Sequence, residues 1–234
     1  MDVIFILGMH RSGTSCLAEA LEACGLHLGA VVRTAGAADN GHGTFENIAI
    51  NDINEALLGS WLDPRAPYFV GERMRGRIAQ CAADLIASAN GHARVGIKDP
   101  RMVFTLPWWR PHFARAQFVA SIRNPHAVHA SLMARGDRGT SVRANLHAWK
   151  AYNTALLDRC ARDEVHLTSF DTPPDEYRAR LATVCARVGL TFDEEAVSRA
   201  FAPQLRRQQA TGTLDDPDAD ALYAALMERY RAQA

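Results

Sequence analysis

The stretch Gly8-Met9-His10-Arg11-Ser12-Gly13-Thr14-Ser15 sets one guanidinium and the hydroxyls of Ser12, Thr14 and Ser15 between and beside two glycines. It directly follows the apolar run Val3-Ile4-Phe5-Ile6-Leu7. A short apolar run reads as a buried strand. A glycine turn leading into a helix-compatible stretch then reads as a phosphate cradle. Backbone N–H groups converge on an anion there, and the helix adds the positive end of its dipole. Loops that bind nucleoside triphosphates read G-x-x-x-x-G-K-[ST]. Here Thr14 stands after Gly13 and the cation sits earlier, at Arg11. The turn is therefore suited to an anionic ester, but not in the manner of an ordinary ATPase or kinase. A turn that only joins strand to helix is the plain structural alternative. Turn chemistry alone does not account for the added cation and hydroxyls.

Two further segments carry charge where a strand should end. Arg94-Val95-Gly96-Ile97 runs into Lys98-Asp99-Pro100-Arg101, and Ala116 to Ile122 runs into Arg123-Asn124-Pro125. Asn124 is a good helix N-cap and Pro125 a good first helical residue. Ser131 then lies two turns into that helix. A guanidinium, a hydroxyl and a helix N-terminus together can grip a second phosphate. The alternative is a surface arginine beside a capped helix.

Taken together, the R-S-G-T-S turn and the later R-N-P-x-x-V-x-x-S segment resemble the sulfotransferase family. Its donor is 3′-phosphoadenosine 5′-phosphosulfate. The resemblance extends to Gly96-Ile97-Lys98-Asp99-Pro100-Arg101, Trp149 and Tyr152, and covers roughly residues 3–152. It implies that Arg11, Ser12, Gly13, Thr14 and Ser15 hold the 5′-phosphosulfate, and that Arg123 and Ser131 hold the 3′-phosphate. It further implies a sulfuryl transfer by in-line displacement to a hydroxyl or amine of a small-molecule or carbohydrate acceptor. The product nucleotide would be 3′-phosphoadenosine 5′-phosphate, and no metal is expected. Arg11 and Lys98 would neutralise charge on the transferring group.

Two departures bear on the chemistry. The sulfotransferases that act on small phenols and steroids carry a histidine base two residues after their lysine, and Pro100 stands there. The K-D-P form is similar to tyrosylprotein sulfotransferases, in which a glutamate after the first helix is the base. Glu46, in Gly43-Thr44-Phe45-Glu46-Asn47, matches it by order and context. Glu46 as a first-turn acid favourable to a helix dipole is the alternative, and His10 or His42 could take the proton instead. Asp99 reads as an orienting group for Lys98 or Arg101, or as a turn cap, rather than as the base. The G-x-x-G-x-x-K segment of the cytosolic enzymes is also absent, leaving Arg206 or Arg207 as substitutes. Two rival readings remain: a P-loop kinase of a small metabolite, with Asp99 holding Mg²⁺, and a non-catalytic nucleotide-binding protein.

Positioning these groups requires an α/β fold: a P-loop-like parallel sheet flanked by helices on both faces. Strands at 3–7, 94–97, 116–122 and 165–167 alternate with helical patterns, as βαβ units do. In such sheets ligands sit beyond the carboxyl ends of the strands, which is where Arg11, Lys98 and Arg123 fall. Helical spacing appears in Leu17-Leu21-Cys24, in Ile50-Ile53-Leu57 and in Met74-Ile78-Cys81-Leu85. It recurs from Val142 to Cys160, from Tyr177 to Val188, and after Asp216 through Leu222, Leu226 and Tyr230. Residues 29–44 read as a loop, and with 61–77 they are expected to shape the acceptor pocket. Arg73, Arg75 and Arg77 read as a solvated face, and Trp108-Trp109 as packing rather than an acceptor wall.

The chain of 234 residues fits a single domain over 1–234 with a helical C-terminal part from about 174. Net charge is zero and the pI about 7.1, so nothing favours a nucleic-acid interface. Only Lys98 and Lys150 are lysine among 26 basic residues, which makes a lysine within a motif notable. Cys16, Cys24, Cys81, Cys160 and Cys185 are scattered and odd in number, and no C-x-x-C occurs. They fit a reducing, cytoplasmic setting better than disulfides or zinc. The first apolar run is too short for a signal peptide, and no run approaches the ~20 residues of a membrane span.

Overall fold

The computed structural model describes residues 1–33, 43–136, 139–200 and 215–233. Four parallel strands form one sheet: β1 (Asp2–Leu7), β2 (Arg94–Lys98), β3 (Arg115–Ile122) and β4 (Val165–Ser169), in the spatial order β2-β1-β3-β4. The register aligns their carboxyl ends. Ile6 pairs with Lys98, Leu7 with Ala120, and Ile122 with Ser169. Arg11, Lys98 and Arg123 therefore leave the sheet at one edge. The chain moves from β1 to one side and returns to the other, so the switch point where ligands bind lies between β1 and β3.

The nine α-helices found among the described residues are α1 (Thr14–Ala23), α2 (Ile48–Leu58), α3 (Glu72–Ala87), α4 (Met102–Trp109), α5 (Pro125–Arg135), α6 (Val142–Arg162), α7 (Pro174–Val188), α8 (Glu194–Ala200) and α9 (Pro217–Arg231). Alternate residues of β1 supply two cores, as the period of two in a strand requires. Val3, Phe5 and Leu7 join a core with residues of α2 to α6 and α9. Ile4 and Ile6 join a second core with α1, α7 and Val197 of α8. Buried on both faces, β1 is apolar from end to end.

The stop and start signals act as their chemistry predicts. Asn47 caps α2 by accepting from the N–H groups of Ala49 and Ile50. Asn124 caps α5, with Pro125 as its first residue. Helices α4 and α8 were not anticipated. Helix α4 contains Pro107 and is apolar on nearly every side, so it shows no amphipathic stripe. Helix α8 has only seven residues, too few to reveal a period.

Candidate active site

The first turn is shaped by what glycine permits. Gly8 has φ +129°, and a Cβ there would lie 2.4 Å from the carbonyl oxygen of Ser121. Gly13 has φ +86°, and its Cβ would lie 2.3 Å from the Phe170 ring. Arg11 adopts a left-handed φ of +66° without being glycine. Such a conformation costs of order 1–3 kcal/mol and persists where surrounding contacts impose it. Those contacts are present: Ser12 N–H donates to the Met9 carbonyl at 3.2 Å, and Ser121 Oγ donates to the Ser12 carbonyl at 2.6 Å.

The two proposed anion grips meet. Arg123 Nη1 donates to the Arg11 carbonyl at 2.9 Å, and Arg11 Nε donates to Ser131 Oγ at 2.8 Å. Arg123 is itself held from two sides. Its guanidinium lies 5.2 Å from the Phe170 ring centroid, and its carbonyl accepts from the Trp149 indole at 3.1 Å. Trp149, a core residue by burial, thus also fixes the strand end that carries Arg123.

Lys98, at the end of β2, donates to Glu46 Oε1 at 2.6 Å, with both side chains nearly buried. Burial opposes the charge on Glu46, but the Lys98 ammonium, helped by Arg101, outweighs it and holds the carboxyl below the ordinary carboxylate range. Asn51 Nδ2 donates to the other oxygen of Glu46 at 2.5 Å. Phe45, just before Glu46, has φ +56°. Ser15 Oγ donates to the Thr44 carbonyl at 3.1 Å, tying this segment to the first turn.

Asp99 is fully buried and turned inward. It accepts from the Arg101 backbone N–H at 2.8 Å and from Asn54 Nδ2 at 3.1 Å, and Arg101 Nη1 approaches at 3.3 Å. Burial and the nearby Glu46 carboxylate push its pKa up to about 6. It orients Arg101 and caps the turn after β2, two of the roles read for it from the sequence. Asn54 Oδ1 in turn accepts from Thr105 and from the Trp109 indole, both at 2.9 Å. Trp109 is core. His10 packs against Trp61 and Tyr152, and burial lowers its pKa to about 3, so its ring is neutral near pH 7.

One open cleft is lined by Arg11, Gly13, Thr14, Ser15, Glu46, Lys98, Arg123 and Ser131 together with His10. Ser12 differs from the expectation: it is 1% exposed and lies behind the lining, its Oγ sealed without a hydrogen-bond partner. Arg73, Arg75 and Arg77 are exposed on α3 and away from the cleft. His42, Arg206 and Arg207 lie outside the described residues. Phe170, Arg135 and Glu19 also line the cleft and were not singled out in the sequence. Phe170 could have been found, because it directly follows the carboxyl end of β4. Among the described residues no cluster of His, Cys, Asp and Glu is arranged to hold a metal ion, and no helix is long and apolar enough to cross a membrane.

The sequence profile of the sulfotransferase family matches residues 3–194. Comparison with curated protein sequences gives no match. Among solved structures, the sulfotransferase domain of the Synechococcus PCC 7002 olefin synthase superposes with a TM-score of 0.64 at 18% identity, covering 97% of this chain and 94% of that one. The sulfotransferase domain from the curacin biosynthetic pathway gives 0.62 at 14% identity, covering 97% of each chain. At these identities the likeness establishes the fold, and the profile establishes the family.

Proposed function

Since the chain belongs to the sulfotransferase family, we propose that it moves a sulfuryl group from 3′-phosphoadenosine 5′-phosphosulfate to a hydroxyl or amine of a small-molecule or carbohydrate acceptor. The observation that carries this reading is the convergence of both anion grips and the Lys98–Glu46 pair on one cleft. The residues suit such a donor. The α1 N-terminus begins at Gly13 in the cleft lining, the hydroxyls of Thr14 and Ser15 stand beside it, and arginines stand at both grips. When bound, that donor supplies an activated sulfuryl group on a phosphate leaving group.

Arg11, Gly13, Thr14 and Ser15 then hold the 5′ end through backbone N–H groups, hydroxyls and one guanidinium, with Ser12 bracing the turn from behind. Arg123 and Ser131 hold the 3′-phosphate. Lys98 balances negative charge that develops on the leaving oxygen, where a fixed cation in a partly dehydrated cleft is most effective. Glu46, ionised near neutral pH, accepts the proton of the acceptor hydroxyl or amine. The pairing with Lys98 holds Glu46 ionised before substrate arrives.

Incubation with ³⁵S-labelled donor and a panel of aliphatic alcohols, phenols and sugars tests the reading. Labelled acceptor is expected from the wild type, and Glu46→Gln should lower the rate by about two decades, the scale of general-base catalysis. Full activity of Glu46→Gln at every pH would remove Glu46 from the base role.

A further inference from the structure

The Glu46 carboxylate is not held by Lys98 alone. Asn51, on the first turn of α2, points its amide back at the residue just before the helix cap. Its Nδ2 lies 2.5 Å from Glu46 Oε2, while Oε1 receives Lys98 at 2.6 Å. Asn54, one turn further on the same helix, holds Asp99, the neighbour of Lys98. Helix α2 thereby holds Glu46 through Asn51 and Asp99, the residue after Lys98, through Asn54. Asn51 is half-buried and does not line the cleft, so it reaches substrate only through Glu46.

We propose that Asn51 is a positioning residue: its amide clamps Oε2 of Glu46, fixes the rotation of the carboxylate and keeps it ionised toward the acceptor. This rests on the reading of Glu46 as the base. An amide can donate here but not accept from a carboxylate, so the Asn51 side chain has one productive orientation. The other groups that face Glu46 are Lys98 and Arg101, which favour its charge, and His10 and Asp99. Removing the amide takes away one donor to the charged form, which raises the pH at which the base is lost.

The test compares Asn51→Leu and Asn51→Asp in the intact protein, with donor turnover to ethanol as the assay. Asp keeps the shape of Asn but replaces the donor with an acceptor carrying charge. Asn51→Leu should lower kcat about tenfold, the loss of one hydrogen bond to a charged group. KM for the donor should change less than about twofold, because only the positioned base is affected. The acid limb of the kcat profile should move to higher pH. Asn51→Asp should be the slower of the two above pH 7. In a Glu46→Gln background, Asn51→Leu should cause no further loss. A loss carried by KM, an unmoved acid limb, Asp tolerated better than Leu, or undiminished effects in the Glu46→Gln background would each overturn the proposal while leaving Glu46 as base. Full activity of Glu46→Gln alone would instead remove the base reading, and this inference with it.

Discussion

Arg11 Nε donates to Ser131 Oγ at 2.8 Å, joining a turn at the start of the chain to a helix 120 residues later. The family resemblance implies that these residues serve opposite ends of an adenosine diester, and here they touch. With Arg123 bonded to the Arg11 carbonyl, the two grips form one connected unit. These internal hydrogen bonds link the two grips, so disturbing one should be felt at the other.

Arg123→Ala should weaken binding of 3′-phosphoadenosine 5′-phosphate by ~1.5–3 kcal/mol, the scale of a hydrogen bond to a charged group. Ser131→Ala, a neutral hydroxyl removed, should cost ~0.5–1.5 kcal/mol. Because both touch Arg11, their effects should not add in a double variant. Isothermal titration calorimetry of the two single variants and the double variant measures this directly.

Lys98→Met should lower kcat by about two decades or more, as expected when a positioned charge is removed from a transition state. It also strands Glu46 in a nearly buried site, where the loss of one partner is strongly destabilising. Adding Glu46→Gln should recover thermal stability without recovering turnover. A scanning calorimetry and rate comparison of the single and double variants separates the two roles of the pair.

Gly13→Ala faces two obstacles, a left-handed φ of +86° and a Phe170 ring atom 2.3 Å from the new Cβ. Donor binding should fall at least tenfold, with stability lowered by about 1–3 kcal/mol. Phe170→Ala in the same chain relieves the clash but not the backbone strain. Rescue measured by donor affinity should therefore be partial.

Asp99 supplies a pH dependence of stability. Its folded pKa is raised to about 6 from an unfolded 3.8. The unfolded chain therefore releases this proton first as pH rises, and Asp99 lowers stability progressively between 3.8 and about 6. Glu46 is shifted the other way, and its contribution is lost only as pH falls below 4.5. Thermal midpoints measured from pH 4 to 7 should thus fall less steeply in Asp99→Asn than in the wild type.

Much of this site was legible because its residues follow strand ends. The glycines at 8 and 13, Arg11, Lys98 and Arg123 stand where periodicity changes from strand to helix, and the parallel register brings those points to one edge. Glu46 was found only through resemblance, since a lone acid before a capped helix has an ordinary explanation. Asn51 and Asn54 carried no signal at all. They look like polar residues on a helix surface, and their role depends on long-range and backbone geometry that brings them to Glu46 and Asp99. The resemblance gave Ser12 a share in holding the 5′-phosphosulfate, whereas the turn directs its side chain inward.

The most direct measurement is calorimetric titration of the wild-type protein with 3′-phosphoadenosine 5′-phosphate in metal-free buffer, beside a titration with Mg·ATP. One saturable site for the 3′-phosphorylated nucleotide, weakened in Arg123→Ala and far weaker for Mg·ATP, is predicted. Tight Mg·ATP binding with no response to 3′-phosphoadenosine 5′-phosphate would contradict a cleft built around two anion grips.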